Sequence, residues 1–306
     1  MASWSICSTV KEPRPVLERF VSHHLSVGAD YVHLFFDDPT DPSFSHFHNQ
    51  PGVVAQLCDE TYWAQLGRRR PPFQERRQKL NGAFAYMRCQ TDWQAHIDAD
   101  ELLLNASDLS ISKELACVPD TIETAKAEPI EPLHESRRDP TRTPFKKSGR
   151  GLRHRRLARM FGPYLPLLNH AMIGHSHGKS FLRGGLTGWS HGIHRPRPAE
   201  GCSRCAMWLE GAKLAHLHCL DREDWLRRVI KKSKDPTYSS GGPLSLLGQL
   251  RALLGEAAAT QSDVRILDRF FEHVNGYSGR LKDQLDDNEM VLRFDIDLTK
   301  PAPVTA

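Results

Sequence analysis

Residues 98–101 read Asp-Ala-Asp-Glu and close a short apolar run, Trp93–Ile97. If that run is a strand, Asp98 and Asp100 leave an extended chain on the same side, because side chains two apart share a face. Two carboxylates so placed repel each other unless a cation or solvent stands between them. Mg²⁺ is commonly held by one or two protein carboxylates together with substrate phosphate oxygens, and Mn²⁺ takes similar ligands. The tetrapeptide is therefore a candidate seat for a metal–diphosphate, with a solvated acidic turn as the plainer alternative. A second acidic end, Asp37-Asp38, follows the run Tyr31–Phe36. Seven of the 16 histidines fall between His170 and His218, yet none has the spacing of a helical zinc-hydrolase motif. Cys202 and Cys205 form one CxxC with only Cys219 after it, which reads as an incidental loop pair rather than half of a zinc site.

These residues need elements to hold them. Trp4–Val10 is rich in strand formers, and residues 16–27 repeat apolar side chains at helical spacing up to Gly28. Tyr31–Phe36 and Val53–Leu57 read as strands. Residues 74–90 read as a helix with Leu80, Ala83, Phe84 and Met87 on one face, and Trp93–Ile97 as a further strand. Strands alternating with helices predict an α/β layer fold with a mainly parallel sheet flanked by helices. Ligands in such sheets bind at the carboxyl edge, where both acidic ends fall. Residues 129–151 carry Pro129, Pro132, Pro140, Pro144, Gly149 and Gly151 and read as a loop or insert. Beyond it the pattern gives a strand within 207–220, a helix from 221 or 222 to about 234, and helices near 243–258 and 262–276.

The chain has 306 residues, 39% hydrophobic and 25% charged, which excludes collagen, low-complexity disorder and a polytopic membrane protein. The net charge of +4 hides an asymmetry. Residues 137–234 hold 22 Lys/Arg against 6 Asp/Glu, a net of +16, whereas residues 1–136 come to −8 and 235–306 to −4. Such an excess points to an anionic partner. Within 137–159 there are ten Lys/Arg and one acid, Asp139, with Phe145 the only aromatic. The lack of interleaved stacking residues argues against nucleic acid. An anionic membrane surface or a phosphorylated or lipid-linked acceptor fits better. Seven scattered cysteines, no secretory leader pattern and no apolar run of the roughly 18 residues that a spanning helix requires lead to a cytoplasmic expectation, including the inner membrane face.

Order and spacing add a resemblance. The pieces are Thr9-Val-Lys-Glu12, Leu17–His24, Phe35-Phe-Asp-Asp-Pro-Thr-Asp41, Arg77-Gln-Lys-Leu-Asn81 and Asp92-Trp-Gln-Ala-His-Ile-Asp-Ala-Asp-Glu-Leu102. Together they resemble a bacterial family-2-like glycosyltransferase of the GT-A fold and Asp-x-Asp type. The likeness covers about residues 3–104 and resumes at Gly178–Arg183, His191–Pro196 and His216–His218. It implies a metal-dependent transfer of a sugar from a nucleotide-sugar donor to a glycan or lipid-linked acceptor, as in polysaccharide biosynthesis, with Mn²⁺ or Mg²⁺ as cofactor. It implies nucleotide-sugar contacts from Asp37, Asp38, Gln78 and Asp98, metal ligation by Asp98, Asp100 and His218, and Glu101 or Asp224 as candidate catalytic carboxylates. Asp224 reads equally well as a first-turn helix acid favoured by the dipole.

On this reading residues 1–128 form the nucleotide-sugar half of one domain, 129–160 a basic insert, and 161–306 an acceptor-side half with a helical C-terminal part. The family's Asn between Lys11 and Glu12 is missing, which leaves room for an alternative: a non-catalytic anion-binding module that docks on membrane or nucleic acid through the basic middle.

Overall fold

The computed structural model describes residues 1–135, 142–202, 205–217, 222–234 and 261–296. The chain divides into two compact units, one built on Met1–Glu128 with His177–Leu214 and one on Pro129–Ser176 with Ala215–Thr299.

The first unit is the expected α/β sheet with flanking helices. Its strands are β1 (Trp4–Val10), β2 (Tyr31–Phe36), β3 (Val53–Leu57), β4 (Trp93–His96), β5 (Glu101–Asn105), the start of β6 (Thr124–Pro132), β8 (Lys179–Arg183) and most of β9 (Ala206–His216). β1 is buried along its whole length, as befits a central parallel strand covered on both faces. It pairs in parallel with β2 on one side and β4 on the other, and β3 joins β2 in parallel. β4 then pairs antiparallel with β8, and β8 with β6, while β5 pairs with β9.

The chain fills the sheet outward from β1 to β2 and β3, then returns to lay β4 on the opposite side of β1. That reversal of strand order is where open α/β sheets form their ligand crevice, at the carboxyl ends. The register Val10↔Phe36 and Cys7↔His96 brings the ends of β2 and β4 out on either side of β1.

Helix α1 (Arg14–Ser26) connects β1 to β2. Pro15 in its first turn is compatible with a helix start, where no N–H is needed. It ends at Gly28, whose φ of +102° suits glycine and strains other residues. The short helices α2 (Phe44–Phe47) and α3 (Glu60–Gln65) precede α4 (Gln74–Met87), and α5 (Ile111–Ala116) follows β5.

Helix α4 departs from its apolar pattern. Met87, expected on the inner face, is 71% exposed, while Arg77, Asn81, Gly82, Ala85 and Tyr86 are buried. The reason is specific pairing. Asn81 donates to Thr9 Oγ1 at 2.9 Å and accepts from the Tyr62 hydroxyl at 2.7 Å, and Arg77 is neutralised by an acid on the sheet edge. Buried polar groups with partners cost little compared with orphaned ones.

The second unit holds the rest of β6 with β7 (Thr143–Lys147) and β10 (Val291–Phe294) in antiparallel order β6–β7–β10. Its helices are α6 (His154–Phe161), α7 (Arg222–Lys234), α8 (Gln261–Asn275) and α9 (Gly279–Asp287). One core gathers Leu133, Leu157, Phe161, Leu281 and Leu285, and another gathers Trp225, Leu267, Phe270, Phe271 and Val274.

The segment 129–151, expected as a loop or insert, contains the end of β6 and all of β7 instead, and α6 follows it. Pro144 lacks an N–H, yet its carbonyl accepts from Leu133 N at 2.8 Å, and α6 buries Leu157, Met160 and Phe161 while Arg153, Arg155, Arg156 and Arg159 stay exposed. The expected helix near 243–258 lies outside the described residues. Among the described residues no helix is long and apolar enough to cross a membrane.

Candidate active site at the carboxyl edge of the first unit

Both acidic strand ends reach this edge. Asp37 follows β2, its N–H donating to Val10 O at 2.9 Å, and Ile97 at the end of β4 donates to Cys7 O at 3.1 Å. Asp98 comes next. The extended geometry expected through Asp98 and Asp100 gives way to a turn: Glu101 N donates to Asp98 O at 3.0 Å, and the Glu101 carboxylate accepts from Asp98 N at 2.8 Å. The closed ring places residues 99–100 in the turn and starts β5 at Glu101, so the two aspartates do not share a strand face.

A cation already stands among these acids. Lys179 at the head of β8 is 1% exposed, with Nζ 2.8 Å from Asp98 Oδ2 and 3.4 Å from Glu101 Oε2. Burial pushes the Asp98 carboxyl up, but the ammonium beside it outweighs burial and holds it well below the usual carboxylate range. Burial alone would lower the lysine; the two carboxylates raise it instead. Gln78 Nε2 holds the other oxygen of Asp98 at 3.1 Å. His96, inside β4, donates from Nδ1 to Gly192 O at 2.9 Å and is shifted down chiefly by burial, then by Lys179. Lys179, Arg77 and His96 are the residues that residue types alone did not single out; only a position opposite an acidic strand end marks them.

Asp37 is fully engaged. Arg77 grips it through two hydrogen bonds of 2.6 and 2.7 Å, and Arg70 Nη2 lies 3.2 Å from Oδ2. Arg70 is half-exposed, and its Nη2 also donates to the Asp37 carbonyl at 3.2 Å. Asp38 closes its own turn, accepting from Thr40 N and Oγ1 at 2.9 and 2.7 Å, and those bonds lower its pKa.

Glu101, the candidate catalytic carboxylate, is wholly buried, with its carboxylate on the Asp98 N–H and near Lys179. Asp224 sits in the first turn of α7 in the second unit, bridged to Arg227 and, at 2.9 Å, to Arg228. His218 lies outside the described residues.

Among the described residues no three His, Cys, Asp or Glu side chains gather in a way that could hold a metal. Asp98 and Glu101 both engage Lys179, and Asp100, the remaining carboxylate of the motif, lies in the turn between them. One carboxylate suits a cation whose other ligands are phosphate oxygens and water, as is usual for Mg²⁺.

No known family model matches the chain, and no curated protein matches it. Similar solved structures include HddC from Yersinia pseudotuberculosis, at 10% identity and TM-score 0.38, over 74% of this chain and 98% of that one. Glucosyl-3-phosphoglycerate synthase from Mycobacterium tuberculosis, in complex with Mn²⁺, UDP and phosphoglyceric acid, is 16% identical with a TM-score of 0.31, over 60% of this chain and 56% of that one. GalNAc-T7 with UDP, GalNAc and Mn²⁺ is 10% identical with a TM-score of 0.37, over 94% and 56% respectively. The chain thus spans just over half the length of the last two. Likenesses this distant do not carry a substrate or a residue role to this chain.

Proposed function

We propose that this chain is a glycosyltransferase that takes a sugar from a nucleotide-sugar donor, with the donor diphosphate held over the Asp98–Glu101 turn. The observation that carries the reading is the meeting of two acidic strand ends, Asp37 and Asp98, at the strand-order reversal around β1, both tied to the same helix through Arg77 and Gln78. In its finer form the acceptor is a glycan or lipid-linked glycan, and Asp100 with the donor phosphates holds Mn²⁺ or Mg²⁺. A divalent ion there supplies positive charge to a diphosphate leaving group as the glycosidic bond breaks. The chain's own groups prepare that place. Lys179 cancels much of the charge of Asp98 and Glu101, Gln78 fixes the orientation of Asp98, and the Glu101 carboxylate holds the turn shut. Fixed groups of this kind favour the transition state because they need no rearrangement as charge develops.

The test is calorimetry with a panel of UDP- and GDP-sugars in the presence of Mn²⁺ or Mg²⁺, followed by donor-hydrolysis assays. Binding of at least one donor is expected, with turnover lowered about 10²-fold or more in Asp100→Ala. Absence of any donor binding overturns the reading.

A second reading has one observation in its favour. Lys179 offsets one of the motif's negative charges and engages both Asp98 and Glu101, as in a module that only binds anions through surfaces such as the exposed arginines of α6. Binding to anionic vesicles that survives Asp98→Ala, with no donor turnover, selects it.

A further inference from the structure

The first unit also carries an open cleft of about 610 Å³ on the outer side of α4, away from the residues that α4 sends to the acidic edge. Arg68, Arg76, Lys79 and Arg197 line it, together with Phe73 and His191. One acid is present, Glu75, and it lies 3.8 Å from Lys79. Among the described residues, no ion pair neutralises Arg68, Arg76 or Arg197. Three unpaired guanidinium groups converging on one cavity repel one another, and an anion relieves that repulsion. Arginine also matches phosphate and carboxylate with two parallel hydrogen bonds.

One further feature describes the rest of the ligand. Phe73, at the start of α4, is 70% exposed on the cleft wall, where its phenyl face is open to stacking against a ring. His191 closes the floor behind it, 2% exposed, with an Nε2 that solvent does not reach. A ligand carrying a ring and a negative charge matches the phenyl face and the arginines.

The cleft is a built structure. Ser190 and Arg197 exchange backbone hydrogen bonds of 3.1 and 2.8 Å, which fixes the arginine's backbone. Gly82 of α4 lets the walls close up, since a Cβ there would lie 3.0 Å from His96 Nδ1 and 3.1 Å from His191 Cβ. The rings of His191 and His96 are 6.0 Å apart, and His96 precedes Asp98 by two residues, so the cleft floor is one histidine pair from the acidic turn.

We propose that this cleft binds the anionic group of the acceptor, a phosphoryl or carboxylate borne on a sugar ring, with Arg76 and Arg197 as its main ligands. The name acceptor rests on the glycosyltransferase reading; the anion site does not. The experiment titrates the full chain by calorimetry with glucose 6-phosphate, glucuronate and neutral glucose, and separately with UDP. Saturable binding of at least one of the two anions is expected, with none for glucose. Glucose 6-phosphate binding alone assigns a phosphoryl group, and glucuronate binding alone a carboxylate. The Arg76→Ala/Arg197→Ala double variant should weaken that binding at least about tenfold and leave UDP binding unchanged. Both side chains are exposed, so the fold should survive, as an unchanged urea midpoint would verify. Phe73→Ala should weaken the sugar anion but leave inorganic phosphate unaffected. No binding of either anion, or equal affinity in the double variant, overturns the proposal. Loss of UDP binding alone defeats only the glycosyltransferase reading.

Discussion

Each unit buries one lysine completely, and the two are set differently. Lys179 in the first unit faces two carboxylates, at 2.8 and 3.4 Å, and is raised. Lys146 in the second faces one, Glu131 at 3.8 Å, along with the Val274 carbonyl at 3.0 Å, and burial lowers it to about 8. The second pair balances one charge with one. Glu131 is also satisfied by the N–H groups of Ile173 and Gly174 at 2.9 and 2.7 Å, so it remains well held whatever the lysine does. The first cluster keeps a surplus negative charge at a sheet edge with a part-exposed aspartate. A structural ion pair closes on itself. An ion cluster left uneven at a rim can take another charged group, and that difference is what the proposed donor site draws on.

The largest expected effect separates them directly. Lys179→Met leaves Asp98 and Glu101 facing each other, and stability should fall by about 3–5 kcal/mol. Lys146→Met should cost less, because the two backbone donors still hold Glu131. Urea unfolding of both variants measures this, and an equal or larger loss for Lys146→Met would break the contrast.

A smaller effect is expected at the neighbouring polar helix. Asn81→Ala orphans the Tyr62 hydroxyl and Thr9, at about 1–3 kcal/mol, again read by urea midpoint.

Acid should also distinguish the units. His23, His24, His96 and His191 are all shifted down by burial, and His33 is lowered to about 4. His24 is held neutral by design, donating from Nδ1 to Phe20 O and accepting at Nε2 from Leu103 N. The folded unit binds fewer protons than the unfolded chain, so these groups leave stability intact above 6.5, the ordinary histidine value, and erode it as pH falls below. Hydrogen exchange at pH 7 and pH 5 should show protection falling at β1 and β5 more than at β7.

The smallest effect lies at lower pH. The depressed carboxyl of Asp98 contributes stability above 3.8 that is lost as pH drops further, and Asp98→Asn should flatten that part of the urea-midpoint curve.

The skeleton of the first unit was legible because its strands obey simple rules. Trp4–Val10 and most of Tyr31–Phe36 are buried strands, Val53–Leu57 is a half-buried one, and all three form with the bounds that their residues suggest. Asp98 and Asp37 could be found because acids after apolar strands are visible in one dimension. Lys179 could not, since it lies 81 residues from Asp98, and nothing local marks it as the partner. The inner face of α4 was misjudged for a related reason: periodicity assumes that apolar residues go inside, whereas here arginine and asparagine find partners there. The segment 129–151 misled through its prolines, which signal loops only where no neighbouring strand uses the groups that proline retains.

The mixed inner face of α4 has a thermodynamic consequence. Most helices dock by hiding hydrocarbon, so their release changes heat capacity and responds steeply to denaturant. Helix α4 is fastened in two ways at once: the guanidinium of Arg77 and the amides of Gln78 and Asn81 hold polar partners, while Leu80, Phe84 and Ala85 pack against Phe35, Tyr62 and Trp63. Its release would break those bonds and uncover that apolar cluster together, so the opening free energy of its amides should fall steeply with urea concentration. The helix that spans the acidic edge then loosens only when the core of its unit opens with it.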